Sequence, residues 1–177
     1  MVTQYYTASS IDGFIADPDN SLSWLLSRDI DEDGPMNYQS LREHWGALCM
    51  GATTYQWILD NHEGDQEGSW PYSIPCWVFT HRTFPEPRGD VRFTSAPVAQ
   101  VHAEMTEVAD GRNVWVVGGG DLVAQFHAEG LLDEVWVQYA PVTLGAGAPL
   151  LPARIELRLV DVARNREFAC VRYDVVR

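Results

Sequence analysis

A chain of 177 residues with 46% hydrophobic and 21% charged content has room for one packed core and is too apolar for disorder, so a single domain over residues 1–177 is expected. The formal net charge of −13 argues against nucleic acid, which is gripped by clustered Lys and Arg. No apolar run approaches the roughly 20 residues of a membrane span.

The first residues, Met1 to Tyr6, lack the basic and apolar regions of a signal peptide. Cys49, Cys76 and Cys170 are an odd set with no CxxC spacing, expected as reduced core thiols in a cytoplasmic protein. Val2 to Ser9 reads as a strand, and an Asp12-Gly13 turn leads into Phe14 to Ala16. The acids that follow, Asp29 to Asp33 and then Glu63, Asp65 and Glu67, lie in loop-like stretches. The first run lacks the spaced oxygen ligands and central glycine of a calcium loop, so solubility is its expected role.

Leu41, Trp45 and Leu48 recur at helical spacing before the apolar run Ala47 to Met50. Thr53 or Thr54 could cap a helix carrying Tyr55, Ile58 and Leu59. Cys76 to Phe79 and Val91 to Phe93 are strand-like. Ser95 and Pro97 open an amphipathic helix with Val98, Val101, Met105 and Val108 on one face. Asn113 to Val117 is a buried strand that runs into three glycines. Leu122, Val123 and Phe126 form the next helical face, which Gly130 closes. After the β-prone Glu134 to Ala140, Ile155 to Val162 and Phe168 to Val176 form an antiparallel hairpin around Arg164 to Arg166. The pattern predicts an α/β fold: a mixed sheet of about eight strands, helices on both faces and an antiparallel pair last.

Gly118, Gly119 and Gly120 sit between that strand and that helix. A strand that passes through glycine into a helix aims free amides and a positive dipole end at whatever lies above it, which suits a phosphate. A plain tight connection is the alternative. The spacing does not match a Rossmann fingerprint, and no Gly-Lys-Ser/Thr follows.

Val114 to Phe126 resembles the glycine turn of dihydrofolate reductases. Ala8 to Ala16, Met50 to Tyr55, Val78 to Arg82 and Pro141 to Gly147 resemble, more closely, the reductase domain of riboflavin biosynthesis and its stand-alone relatives. The resemblance covers nearly the whole chain. It implies the dihydrofolate-reductase-like fold, an NADPH site, a cis peptide between Gly118 and Gly119, and a homodimer paired through its sheets. By position it implies that Ala8 and Ile15 meet the nicotinamide end. Gly51, Thr53 and Thr54 would place a helix N-terminus at the pyrophosphate, and Gly118, Gly119, Gly120, Leu122 and Val123 would complete that cradle. Thr80 and Arg82 would meet the adenosine ribose and its 2′-phosphate.

Two positions depart from the family pattern. Ala52 stands where relatives carry Arg or Lys, which opens the way to NADH. Gly46 stands where a catalytic Asp is expected, leaving Asp12 as the candidate acid, with Glu43 and His44 behind it. Trp24, Trp57, Trp70 and Tyr72 could line a heteroaromatic pocket or belong to core and interface. The expected function is reduction of a small pterin-like or pyrimidine-like molecule by NAD(P)H. A nucleotide-binding member of the fold without catalysis is the alternative.

Overall fold

Six short apolar runs become parallel strands because helices cover both of their faces. The computed structural model describes residues 1–61, 70–87 and 89–177; the acids Glu63, Asp65 and Glu67 lie outside them. In chain order the elements are β1 (Thr3–Ser10), β2 (Phe14–Ala16), α1 (Ser23–Leu26), α2 (Tyr38–Arg42), β3 (Trp45–Gly51) and α3 (Ala52–Asn61). Then come β4 (Cys76–Phe79), β5 (Val91–Thr94), α4 (Val98–Ala109), β6 (Asn113–Gly118) and α5 (Gly120–Ala128). The chain finishes with β7 (Glu134–Ala140), β8 (Ala148–Pro149), β9 (Leu157–Asn165) and β10 (Phe168–Val175).

The main sheet has eight strands in the order β5-β4-β3-β6-β1-β7-β10-β9. All neighbours from β5 to β7 run parallel, and β10 is antiparallel to both β7 and β9. The expected mixed sheet is therefore present. A separate two-stranded ribbon of β2 and β8 was not anticipated.

One face is packed by α4 and α5 through Val98, Val101, Met105, Leu122, Val123 and Phe126. The other carries Leu41 from α2 and Tyr55 and Ile58 from α3. Leu131 donates to the Phe126 carbonyl and Gly130 to that of His127, with Gly130 at φ +68°, so α5 ends on the expected glycine. Cys49, Cys76 and Cys170 are buried free thiols. No helix among the described residues is long and apolar enough to cross a membrane.

Three details differ from expectation. The helix expected through Leu41, Trp45 and Leu48 stops at Arg42, because Trp45 enters β3 opposite Asn113 and its indole donates to Gln4 Oε1 at 2.8 Å. In α4 the buried face ends on Ala109, and Val108 is 38% exposed. Arg164 and Asn165 belong to β9, so the hairpin turns on Arg166 and Glu167 instead.

Candidate active site

β1, β3, β4 and β6 deliver their carboxyl-terminal halves to one side of the sheet, where open α/β folds place ligands. A cleft of about 780 Å³ opens there. Ala8, Ile15, Gly51, Thr53, Thr54, Gly118, Gly119, Gly120 and Leu122 all line it. Of the expected cofactor residues, Val123 is turned the other way: it is fully buried beneath α5. One helical step separates it from Leu122, and that step rotates it off the cleft.

Two helices begin at this cleft. α3 starts immediately after Gly51 and α5 immediately after Gly119, which offers no side-chain cap. Their first-turn amides and positive dipole ends converge on the same space. A Cβ at Gly119 would meet only Ile15 Cδ1, at 3.9 Å, so the room above this backbone belongs to the cleft. The peptide between Gly118 and Gly119 is cis, as the resemblance implied. Such an arrangement can hold a pyrophosphate by backbone alone. Ala52 lines the cleft without adding charge, and Asp121, in the first turn of α5, brings a carboxylate to the glycine end.

Arg82 lies beside this cleft, in a polar depression of about 590 Å³ shared with Asp19, Thr53, Gln56 and Asp60. Its amide donates to Thr80 Oγ1 at 2.8 Å, so Thr80 shapes the turn that carries Arg82. Trp57 and Tyr72 face the cleft. Trp24 packs with Phe168 and Cys170, and Trp70 against Tyr55 and Tyr72, which divides the four aromatics between pocket and packing.

Asp12 is not among the cleft residues. Its carboxylate accepts from Ser10 Oγ at 2.6 Å and from the amides of Leu144 and Gly145, tying the first turn to the loop after β7. The Ser10 hydroxyl first, and those amides with it, hold its carboxyl below the usual 3.8. A lowered folded pKa contributes stability above the unfolded value that is lost as pH falls through the folded one. Asp12→Asn should therefore lower thermal stability near neutral pH and flatten its decline below pH 3.8, while turnover stays unchanged. A large fall in kcat would return Asp12 to the chemistry. Glu43 and His44 are exposed and lie off the cleft. Gly46 is buried inside β3 against the end of α4 and also lies off the cleft, so an acid there could not reach a substrate.

The polar floor escaped the sequence reading. Gln138 Nε2 donates to Tyr6 Oη at 2.7 Å and to the Met36 carbonyl at 2.9 Å. Trp115 donates to the Tyr6 carbonyl and stacks on Trp45 at 4.1 Å. Burial pushes the Tyr6 phenol well above its ordinary value, so it stays neutral. The signal available in the sequence was a glutamine in the middle of the apolar run Glu134 to Ala140.

Comparison with known proteins agrees with this geometry. The family described as the RibD C-terminal domain matches residues 58–165. YwjB of Bacillus subtilis, an uncharacterised protein, is 30% identical over 84% of this chain and 81% of its own. A Shewanella sp. PV-4 protein provisionally named for riboflavin biosynthesis superposes with a TM-score of 0.82 at 27% identity, covering all of both chains. Dihydrofolate reductase from Enterococcus faecalis, complexed with NADP(H), gives 0.60 at 13% identity over 99% of this chain and 97% of its own. That likeness shows the shared fold.

Proposed function

From the premise that this chain belongs to the RibD C-terminal domain family, we propose that it is an NAD(P)H-dependent reductase of a small heteroaromatic, pyrimidine-like or pterin-like molecule. The observation that carries the reading is the convergence of the α3 and α5 N-termini on the glycine-lined end of the cleft. When bound, the reduced nicotinamide supplies a hydride to the carbon of a C=N bond. Gly51, Thr53, Thr54, Gly118, Gly119 and Gly120 hold the pyrophosphate, and Ala8 and Ile15 flank the nicotinamide. The nitrogen takes its proton from solvent, since the one carboxylate among the described residues that line the cleft, Asp121, sits at the glycine end.

The experiment is a tryptophan-quenching titration with NADPH and NADH, followed by turnover on a heterocycle panel. Binding without turnover would favour the alternative, a nucleotide-binding member without catalysis. No binding at millimolar cofactor would remove both readings.

Arg82 bears on the choice between NADPH and NADH. As a guanidinium beside the cleft it suits a 2′-phosphate, although Asp19 and Asp60 share its depression. Arg82→Ala is expected to weaken NADPH by about 1.5–3 kcal/mol, the range for hydrogen bonds to a charged group, and to leave NADH unchanged. Equal losses for both would make the residue structural.

A homodimer completes the proposal. The edge strand β9 leaves Leu159, Val160 and Val162 at 57%, 42% and 58% exposure, and an uncovered apolar edge strand invites pairing. Light scattering should give twice the mass of one chain at micromolar concentration, and a Val162→Lys variant should shift it toward the monomer. A native monomer at that concentration would remove the dimer.

A further inference from the structure

The polar depression that holds Arg82 is continuous with the cleft. Asn20, Leu22, Leu26, Thr53 and Trp57 line both hollows. Thr53 lies in the first turn of α3, at the end of the cleft where the two helix N-termini converge. A dinucleotide held there by its pyrophosphate, with its nicotinamide toward Ala8 and Ile15, directs its adenosine ribose to the side of the depression.

Three charged side chains line that depression: Arg82, Asp19 and Asp60. All three residues are exposed. Arg82 forms no ion pair among the described residues, so its guanidinium is open to a phosphate. The carboxylates are placed by local hydrogen bonds. Asp17 Oδ1 accepts from the amides of Asp19 at 2.9 Å and Ser21 at 2.7 Å, which fixes the turn that presents Asp19. Asp60 Oδ1 accepts from Gln56 Nε2 at 2.8 Å, one turn back on α3.

NADPH and NADH differ only at the ribose 2′ position. One carries a phosphate there, with close to two negative charges, and the other a hydroxyl. The charges of the depression therefore act strongly on the first and weakly on the second. Arg82 in contact with the phosphate contributes tenfold or more, as expected of a hydrogen bond between charged groups. A carboxylate several ångströms away, acting through water, weakens a dianion by about threefold. Two of them offset about tenfold, which is comparable with the lower end of what the guanidinium contributes.

We propose that Asp19 and Asp60 are specificity-determining residues that cancel the preference Arg82 alone would impose, so that the chain takes NADPH and NADH with similar affinity. The inference rests on the reading of the cleft as a reductase site, and it assigns two further residues to the choice of cofactor.

Calorimetry with NADPH and with NADH on the full chain at low salt tests it. The native protein should bind the two within about tenfold of each other. Asp19→Asn and Asp60→Asn should each tighten NADPH by about threefold, and the double variant by about tenfold, with NADH staying within about twofold of native. In about 0.5 M salt the gain of the double variant should fall below about threefold, because screening reaches exposed carboxylates. Asparagine keeps the shape of aspartate, and either single variant decides the matter should the double one fold poorly.

An NADPH-to-NADH ratio unmoved by the substitutions would overturn the proposal. So would an equal gain for both cofactors, the mark of a field on the shared pyrophosphate, or a native preference for either cofactor well beyond tenfold. Binding of both cofactors with an unmoved ratio sinks this inference alone, whereas binding of neither sinks the reductase reading with it.

Discussion

Gly46→Asp is expected to unfold the protein, although it restores the acid that the family pattern leads one to expect. A Cβ at Gly46 would fall on the Ala109 carbonyl oxygen and lie 2.7 Å from Ala109 Cα. Both are backbone atoms at the end of α4, and neither can swing aside. That end is anchored: Arg112 donates to the Ala109 carbonyl, and Asn113 donates to the His44 carbonyl at 2.8 Å. Overpacking of this kind costs about 1–3 kcal/mol or more, and an unpartnered carboxylate inside a strand adds a desolvation penalty of similar size or larger. Together they approach the roughly 5–15 kcal/mol that holds a domain folded. Urea denaturation measures the effect. A folded Gly46→Asp protein with an unchanged midpoint would mean that β3 and α4 are farther apart than described.

The second large effect is on function and should leave stability alone. Gly119→Ala places a methyl group into the space shared by the α3 and α5 N-termini. The residue has φ −86° and ψ −178°, values open to any amino acid, and the new Cβ meets only Ile15 at 3.9 Å. The fold has room for it, and a bound pyrophosphate does not. Cofactor affinity should fall by about a hundredfold, roughly 2.7 kcal/mol, while the unfolding free energy from urea denaturation stays within about 0.5 kcal/mol of the native one. Unchanged NADPH binding would reduce the glycine turn to a connection. Gly120 behaves differently. A Cβ there would fall on the Pro149 carbonyl oxygen and lie 2.6 Å from that of Leu150, so this glycine serves close packing of α5.

Adjacent glycines thus have different reasons for being glycine, and only one of those reasons was legible in advance. A strand running through Gly118 to Gly120 into a helix is a local pattern, and neighbours along the chain suffice to predict it. The same holds for the spacing of Val98, Val101 and Met105 and for the terminal hairpin. The contact of Gly120 with Pro149 joins residues some thirty positions apart, and no local pattern contains it.

Asp12 makes the same point from the other side. An Asp-Gly turn was readable, but the amides that claim its carboxylate belong to Leu144 and Gly145. Trp45 fitted helical spacing with Leu41 and Leu48, yet pairing with Asn113 placed it in a strand. Its two spacing partners could support a helix, but burial on both faces of a central strand outweighed them.

By itself the sequence determined the class of fold and the glycine turn, because periodicity and glycine act over a few residues; α3 starts at Ala52, ahead of the Thr53 or Thr54 expected to cap it. The tertiary structure decided that Tyr6, Gln138 and Phe168 meet in one cleft, that Val123 faces the core and that Gly46 cannot carry an acid. Those outcomes depend on strand order and register, which long-range packing sets: β1 lies between β6 and β7, its partners more than a hundred residues away along the chain.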